Sequence, residues 1–254
     1  MGDQVVQSGT EVTTGLTQWQ RVAGTFSAPS KTFQDIKGGN RSWWLPFLIM
    51  VVFGYVLFAA ITMKIGWAQV AQNGIHLDPK TEERVSNMPK DQRDTTMKIT
   101  QYSMEGGFAA SPLLVLAFVA LASLVLWGTI NFAFGGKAQF GGVFAVWMYA
   151  SLPGVIKSIL GTIVIFAGMA PESFNLSNFA PTSVGAFLPP PPETNAALYK
   201  LASALDFTTI WSMALLAIGI AIVAGVKRTS GYIAVFGWWA VIILITVGWA
   251  AIMG

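Results

Sequence analysis

The chain has 254 residues, 54% of them hydrophobic and only 11% charged, with a net charge of +3. Soluble domains carry about 25% charged residues, so this composition belongs in a membrane. Zero Cys, one His (His76) and no basic stripe exclude a disulfide framework, a histidine metal site and a nucleic-acid partner.

Residues 1–25 are polar, rich in Gly, Thr and Gln, and read as a mobile tail. No continuous apolar run precedes Leu45, so a retained first span is expected, not a signal peptide. Phe26, Phe33 and Ile36 are interleaved with Lys31 and Lys37, and Pro29 suits a first helical turn. This short amphipathic element lies either on the membrane surface or against the end of a bundle. Residues 1–40 are thus read as a polar N-terminal tail with an interfacial segment, ahead of a membrane domain over 41–254.

The first span is predicted at about 44–63, with Trp43 and Trp44 as interfacial anchors at its start. The connection 65–110 is polar and mixed in charge. Asp78-Pro79 starts one helix, Pro89 ends it, and Asp91 to Met104 reads as a second helix. A helical hairpin outside the membrane is expected there. The second span covers about 112–134 and contains Asn131, a candidate for a hydrogen bond between helices. The third covers about 140–170. Pro153 removes a backbone bond, which predicts a kink near Ser151, with Tyr149 and Ser151 placed to satisfy the freed groups. Residues 171–195 are Pro-rich, and Pro189 to Pro192 reads as extended polyproline II. Asn195 to Ala204 then leads helically into the fourth span, 207–226, and the fifth covers 232–252. The expected fold class is an all-α integral membrane protein, a five-transmembrane-helix bundle with an extramembrane helical hairpin between spans one and two.

Lys31, Lys37, Arg41, Lys137, Lys227 and Arg228 fall on one side of this topology. The positive-inside rule makes that side cytoplasmic, with the N-terminus inside and the C-terminus outside.

Lys157 lies well inside the third span. A charge there costs about 3 kcal/mol on insertion scales and calls for a partner or a wet cavity. Asp206, at the outer end of the fourth span, is the natural candidate. By the span boundaries Lys157 sits roughly 20 Å below the outer loop, a gap for its stem and the kink to close. Three readings stand: a structural Lys157–Asp206 pair, a polar site for a lipid headgroup or ion, and snorkelling of Lys157 to an interface.

Four stretches carry a family resemblance. They are Pro29-Ser-Lys-Thr-Phe33-Gln-Asp-Ile36, Trp43-Trp44-Leu45-Pro46-Phe47, Tyr149-Ala-Ser-Leu152-Pro153 and Leu205-Asp206-Phe207-Thr-Thr-Ile210-Trp211. In that order, with five spans and a polar N-terminus, the chain resembles the Yip1-domain family from about residue 26 onward. The resemblance implies a membrane-embedded helical bundle with a cytosolic N-terminal tail. Eukaryotic members are implied in vesicle traffic around the Golgi and in contacts with Rab GTPases. This sequence lacks their Asp-Leu-Tyr-Gly-Pro motif and looks like the prokaryotic branch, which points to a bacterial cytoplasmic (inner) membrane.

No P-loop, HExxH or two-metal acid cluster is present, and neither a catalytic residue nor a cofactor or metal is expected. The expected function is a non-enzymatic scaffold that organises the membrane or partner proteins. The alternative is a small transporter or channel for an ion or lipid, using the Lys157/Asp206 region. Expected partners are the lipid bilayer, other membrane proteins or a second copy of the chain, and bound lipid.

Overall fold

In the computed structural model, which describes residues 15–253, every long apolar run is a helix. Residues 1–14, most of the polar tail, lie outside the described residues. The residues after them are helical and packed, not a tail. A capping box of Thr17 and Gln20 starts helix α1 (Gln18–Ser27), and Pro29 sits in the first turn of α2 (Pro29–Lys37). The two form a hairpin that packs into the bundle. Phe33 and Ile36 of α2 are fully buried in the main core, so the amphipathic element does not lie flat on a membrane surface.

Helix α3 (Trp44–Lys64) is the first span. Trp44 is 54% exposed, whereas Trp43 turns inward and meets Phe47 and Phe144 edge to face. The connection to the second span holds three helices: α4 (Trp67–His76), α5 (Pro79–Ser86) and α6 (Lys90–Ala109). Helices α5 and α6 are the expected hairpin. Asp78 caps α5 by accepting from the Thr81 N–H, and Pro89 precedes α6. Helix α4 was not expected. It buries Trp67, Val70 and Ile75, and its Asn73 donates to the carbonyls of Pro171 and Phe174, both at 2.8 Å. Trp67 and Val70 join Leu57, Ile61, Ile165 and Phe174 in a second core.

The second span is α7 (Ser111–Gly128), whose last turn, Thr129–Ala133, widens to a π-helix. Asn131 sits in that turn. It does not bond a neighbouring helix; its amide donates to the Ala138 carbonyl and accepts from the Ala138 N–H, clamping the loop after the span.

The third span is broken where Pro153 requires it, into α8 (Phe140–Ala150) and α9 (Pro153–Phe166). The Tyr149 carbonyl, which lacks a proline N–H to accept, takes the Leu152 N–H instead, and the Ser151 hydroxyl donates to the Trp147 carbonyl. The Tyr149 hydroxyl plays no part in this repair and donates to Gln18 in α1.

Residues 171–195 fold as short 3₁₀ turns, and 191–193 form a turn that limits the extended segment to Pro189 and Pro190. Helix α10 (Ala196–Ala204) does not run on into the fourth span. The chain breaks at Leu205 and Asp206 before α11 (Phe207–Ala224), the most buried of the spans. The fifth span is α12 (Arg228–Met253). Helix α11 is about 27 Å long and α12 about 39 Å, so α12 overshoots it and packs on α10 beyond. Near their shared turn α11 and α12 approach closely: a side chain at Gly231 would strike the Ala217 carbonyl and the Ala221 methyl. The main core lies between α2, α8, α11 and α12.

Candidate functional site

Two buried ion pairs mark the interior. The first joins Lys157 and Asp206. Lys157 Nζ donates to Asp206 Oδ2 at 3.0 Å, with the Lys side chain 21% exposed and the Asp side chain 3% exposed. Asp206 accepts three further hydrogen bonds, from the Thr182 hydroxyl (2.6 Å), the Thr208 hydroxyl (2.6 Å) and the Thr209 N–H (2.9 Å). The last makes Asp206 the N-cap of α11. Four donors on two oxygens supply the compensation that a buried carboxylate requires.

How Asp206 reaches Lys157 is the unexpected part. Lys157 is about 13 Å of helix from the end of α9 at Phe166. The Lys stem does not close this gap. The loop after α9 folds back along that helix. Phe179 sits against Gly161, where any side chain would collide with its ring, and the Lys157 ammonium lies 5.4 Å from the same ring's centre. Thr182 and Ser183 then pair with the start of α11: the Phe207 N–H donates to the Thr182 carbonyl at 2.8 Å and the Val184 N–H to the Leu205 carbonyl at 3.2 Å. The fourth span therefore begins level with Lys157.

This geometry makes Gly161→Leu informative. The larger side chain is expected to push Phe179 and the loop off α9 and to cost about 1–3 kcal/mol, the usual penalty of overpacking. Thermal unfolding in detergent would show it as a lower Tm; an unchanged Tm would mean that the loop is not held by this contact.

Beside the pair is a half-open cleft of about 250 Å³ between α8, α9 and α11, with Ser151, Lys157, Thr208 and Ser212 in its wall. One turn further along α11 the bundle is closed. Val146, Tyr149, Ala217 and Ile220 are fully buried there around Phe33 of α2.

The second ion pair was not anticipated from the sequence. Arg21 of α1 is 1% exposed, and its Nε lies 3.3 Å from Asp35 Oδ2. The guanidinium also donates to the carbonyls of Asn40 (3.0 Å) and Ser42 (3.3 Å) and stands 5.5 Å from the centre of the Tyr149 ring. Asp35 Oδ1 accepts from the Leu16 N–H. Tyr149 thus touches the N-terminal hairpin, while Lys157, Asp206 and the Pro153 break gather around the cleft. Asn131, Trp43 and Trp44 belong to neither group.

Five apolar helices around two interior ion pairs define a polytopic helical membrane protein, and among the described residues no cluster of His, Cys, Asp or Glu suits a metal ion. The family is established by comparison. The Yip1 domain model matches residues 23–250, so the chain belongs to the Yip1 domain family. It is also similar to the membrane protein YknW of Bacillus subtilis (strain 168), at 21% identity over 212 residues, which are 83% of this chain and 81% of that protein. No solved structure matches the chain.

Proposed function

We propose that this protein is a non-enzymatic scaffold of a bacterial cytoplasmic membrane, organising the bilayer or partner membrane proteins around its five-span bundle. The observation that carries the reading is how the interior charges are used. Asp206 is saturated by four donors, and Arg21 is shared among Asp35, two carbonyls and Tyr149. These contacts hold helices and loops together. In this reading the N-terminus is inside and the C-terminus outside. The Lys137 N–H bonds the Ala224 carbonyl and Arg228 bonds Ser30, which brings the basic loops together at the end that carries α1 and α2.

The test is affinity purification from membranes in mild detergent, with partners identified by mass spectrometry. A membrane protein recovered in fixed ratio, or a stable homo-oligomer, is the expected result. A monomer with neither, and with measurable ion or lipid flux in proteoliposomes, would refute the scaffold. That outcome would favour the second reading, a small transporter or channel for an ion or lipid, which draws on the cleft at Lys157.

A further inference from the structure

At the end of the bundle that carries α1 and α2, two small cavities adjoin. The first, about 170 Å³, is bounded by Lys37 at the end of α2, Arg41 just ahead of α3, and Lys137 in the turn before α8. The second, about 300 Å³, is bounded by Arg41 again and then by Trp43, Phe140 and Phe144. Arg41 therefore stands between a basic chamber and an aromatic one. Among the described residues, no acidic one lines either. The ion pairs among the described residues use Arg21, His76 and Lys157, and leave these three cations without an acid. Asp35, two residues before Lys37, is taken by Arg21.

Position decides what such a pair of chambers suits. Trp43 immediately precedes the first span and Phe140 opens the third, so both chambers lie at the boundary between water and hydrocarbon. Three cations in a recess between helices attract a phosphate, and aromatic walls running from there toward the apolar spans suit an acyl chain. We infer that this recess binds an anionic phospholipid. Its phosphate is held by Lys37, Arg41 and Lys137, and one acyl chain lies on Trp43, Phe140 and Phe144. A zwitterionic lipid brings its own cation among the three and is disfavoured. A soluble phosphate leaves the aromatic chamber empty. The site is separate from the Lys157 cleft and does not depend on the scaffold reading.

The experiment titrates the full-length protein in detergent with phosphatidylglycerol, phosphatidylcholine and glycerol 3-phosphate, and counts bound molecules by native mass spectrometry. Phosphatidylglycerol is expected to bind at least about tenfold better than phosphatidylcholine. Arg41→Gln combined with Lys137→Gln should weaken it roughly thirtyfold, and Lys37→Gln alone roughly fivefold. Lys31→Gln combined with Lys227→Gln removes the same charge from the same end, but outside the chambers, and should leave binding unchanged. All three variants are expected to keep the parent Tm, because none of these side chains is in an ion pair or buried. Equal retention of the two lipids overturns the site, as does an equal loss in the Lys31/Lys227 variant, which would mean that charge acts over the whole surface. Glycerol 3-phosphate binding as tightly as phosphatidylglycerol would also overturn it, in favour of a soluble phosphate ligand.

Discussion

Asp206→Ala is expected to be the most damaging single substitution near the cleft, costing about 3–5 kcal/mol, the range for breaking a buried pair from one side. Four losses coincide. Lys157 loses its counter-ion inside the membrane, the Thr209 N–H loses its N-cap acceptor, the buried Thr208 hydroxyl loses its acceptor, and Thr182 loses the acceptor that ties the returning loop to the bundle. Lys157→Ala should cost less, about 1–3 kcal/mol, because Asp206 keeps three other donors. The Lys side chain is also 21% exposed toward the cleft, so the free ammonium of Asp206→Ala can be partly solvated there. A double-mutant cycle in detergent unfolding isolates the pair. A coupling energy of about 1–3 kcal/mol is expected, since the groups touch. Additive losses would mean that Asp206 acts only as a cap and loop anchor, and that Lys157 snorkels independently.

The partners in this pair were legible; the way they meet was not. Lys157 stands out because a lone cation inside an apolar run demands compensation, and Asp206 is the acid at the nearest span end. The five spans were legible for the same kind of reason. Runs of 18 or more apolar residues have no other stable home, and Pro153 marks the break in the third. The loop that returns along α9 is different. It is set by Phe179 fitting against Gly161, a contact between residues with no periodic relation, which no local pattern encodes. Helix α4 did leave a signal, with Trp67, Val70, Ala71 and Ile75 spaced three to four apart, but it is short and was absorbed into a polar stretch. The same holds for α1. Thr17-x-x-Gln20 is a capping-box signature, yet the surrounding Gly and Thr residues made the segment look like tail. Arg21 carries no local signal of burial, because that burial depends on Asp35, Asn40 and Tyr149, all contributed from beyond its own helix.

Asp35→Ala should release the N-terminal hairpin while leaving the five-span bundle folded. For a soluble protein, Phe33 and Ile36 alone would hold α2 in place, because undocking would expose them to water. At a membrane the alternative is to lay the same residues among lipid tails, so their burial supplies much less net driving force. The polar contacts then decide where the hairpin sits. Arg21 is 1% exposed, and without Asp35 its charge is left with two carbonyls and an aromatic face. Removing one side of such a pair costs about 3–5 kcal/mol. That cost falls on the docked hairpin alone, because both residues lie in α1 and α2, whereas α3 packs along α9 and α11 along α12 without them. Limited trypsin digestion reads the difference. Cleavage after Arg21 and Lys31 should speed up by two orders of magnitude or more, at about 1.4 kcal/mol per tenfold if opening equilibrates faster than cleavage, while the spans stay protected. Arg21→Met, which removes the charge but keeps an apolar side chain of similar length, should be milder, because Asp35 is 13% exposed and keeps the Leu16 N–H. If Asp35→Ala leaves cleavage unchanged, apolar packing alone docks the hairpin. If it unfolds the spans as well, the hairpin is part of the bundle's cooperative unit and not a separable element upon it. Undocking has a further consequence at the basic recess. Lys37 rides on α2 and Arg41 on the segment that joins α2 to α3, so the same substitution should also weaken phosphatidylglycerol binding without touching any of the three cations.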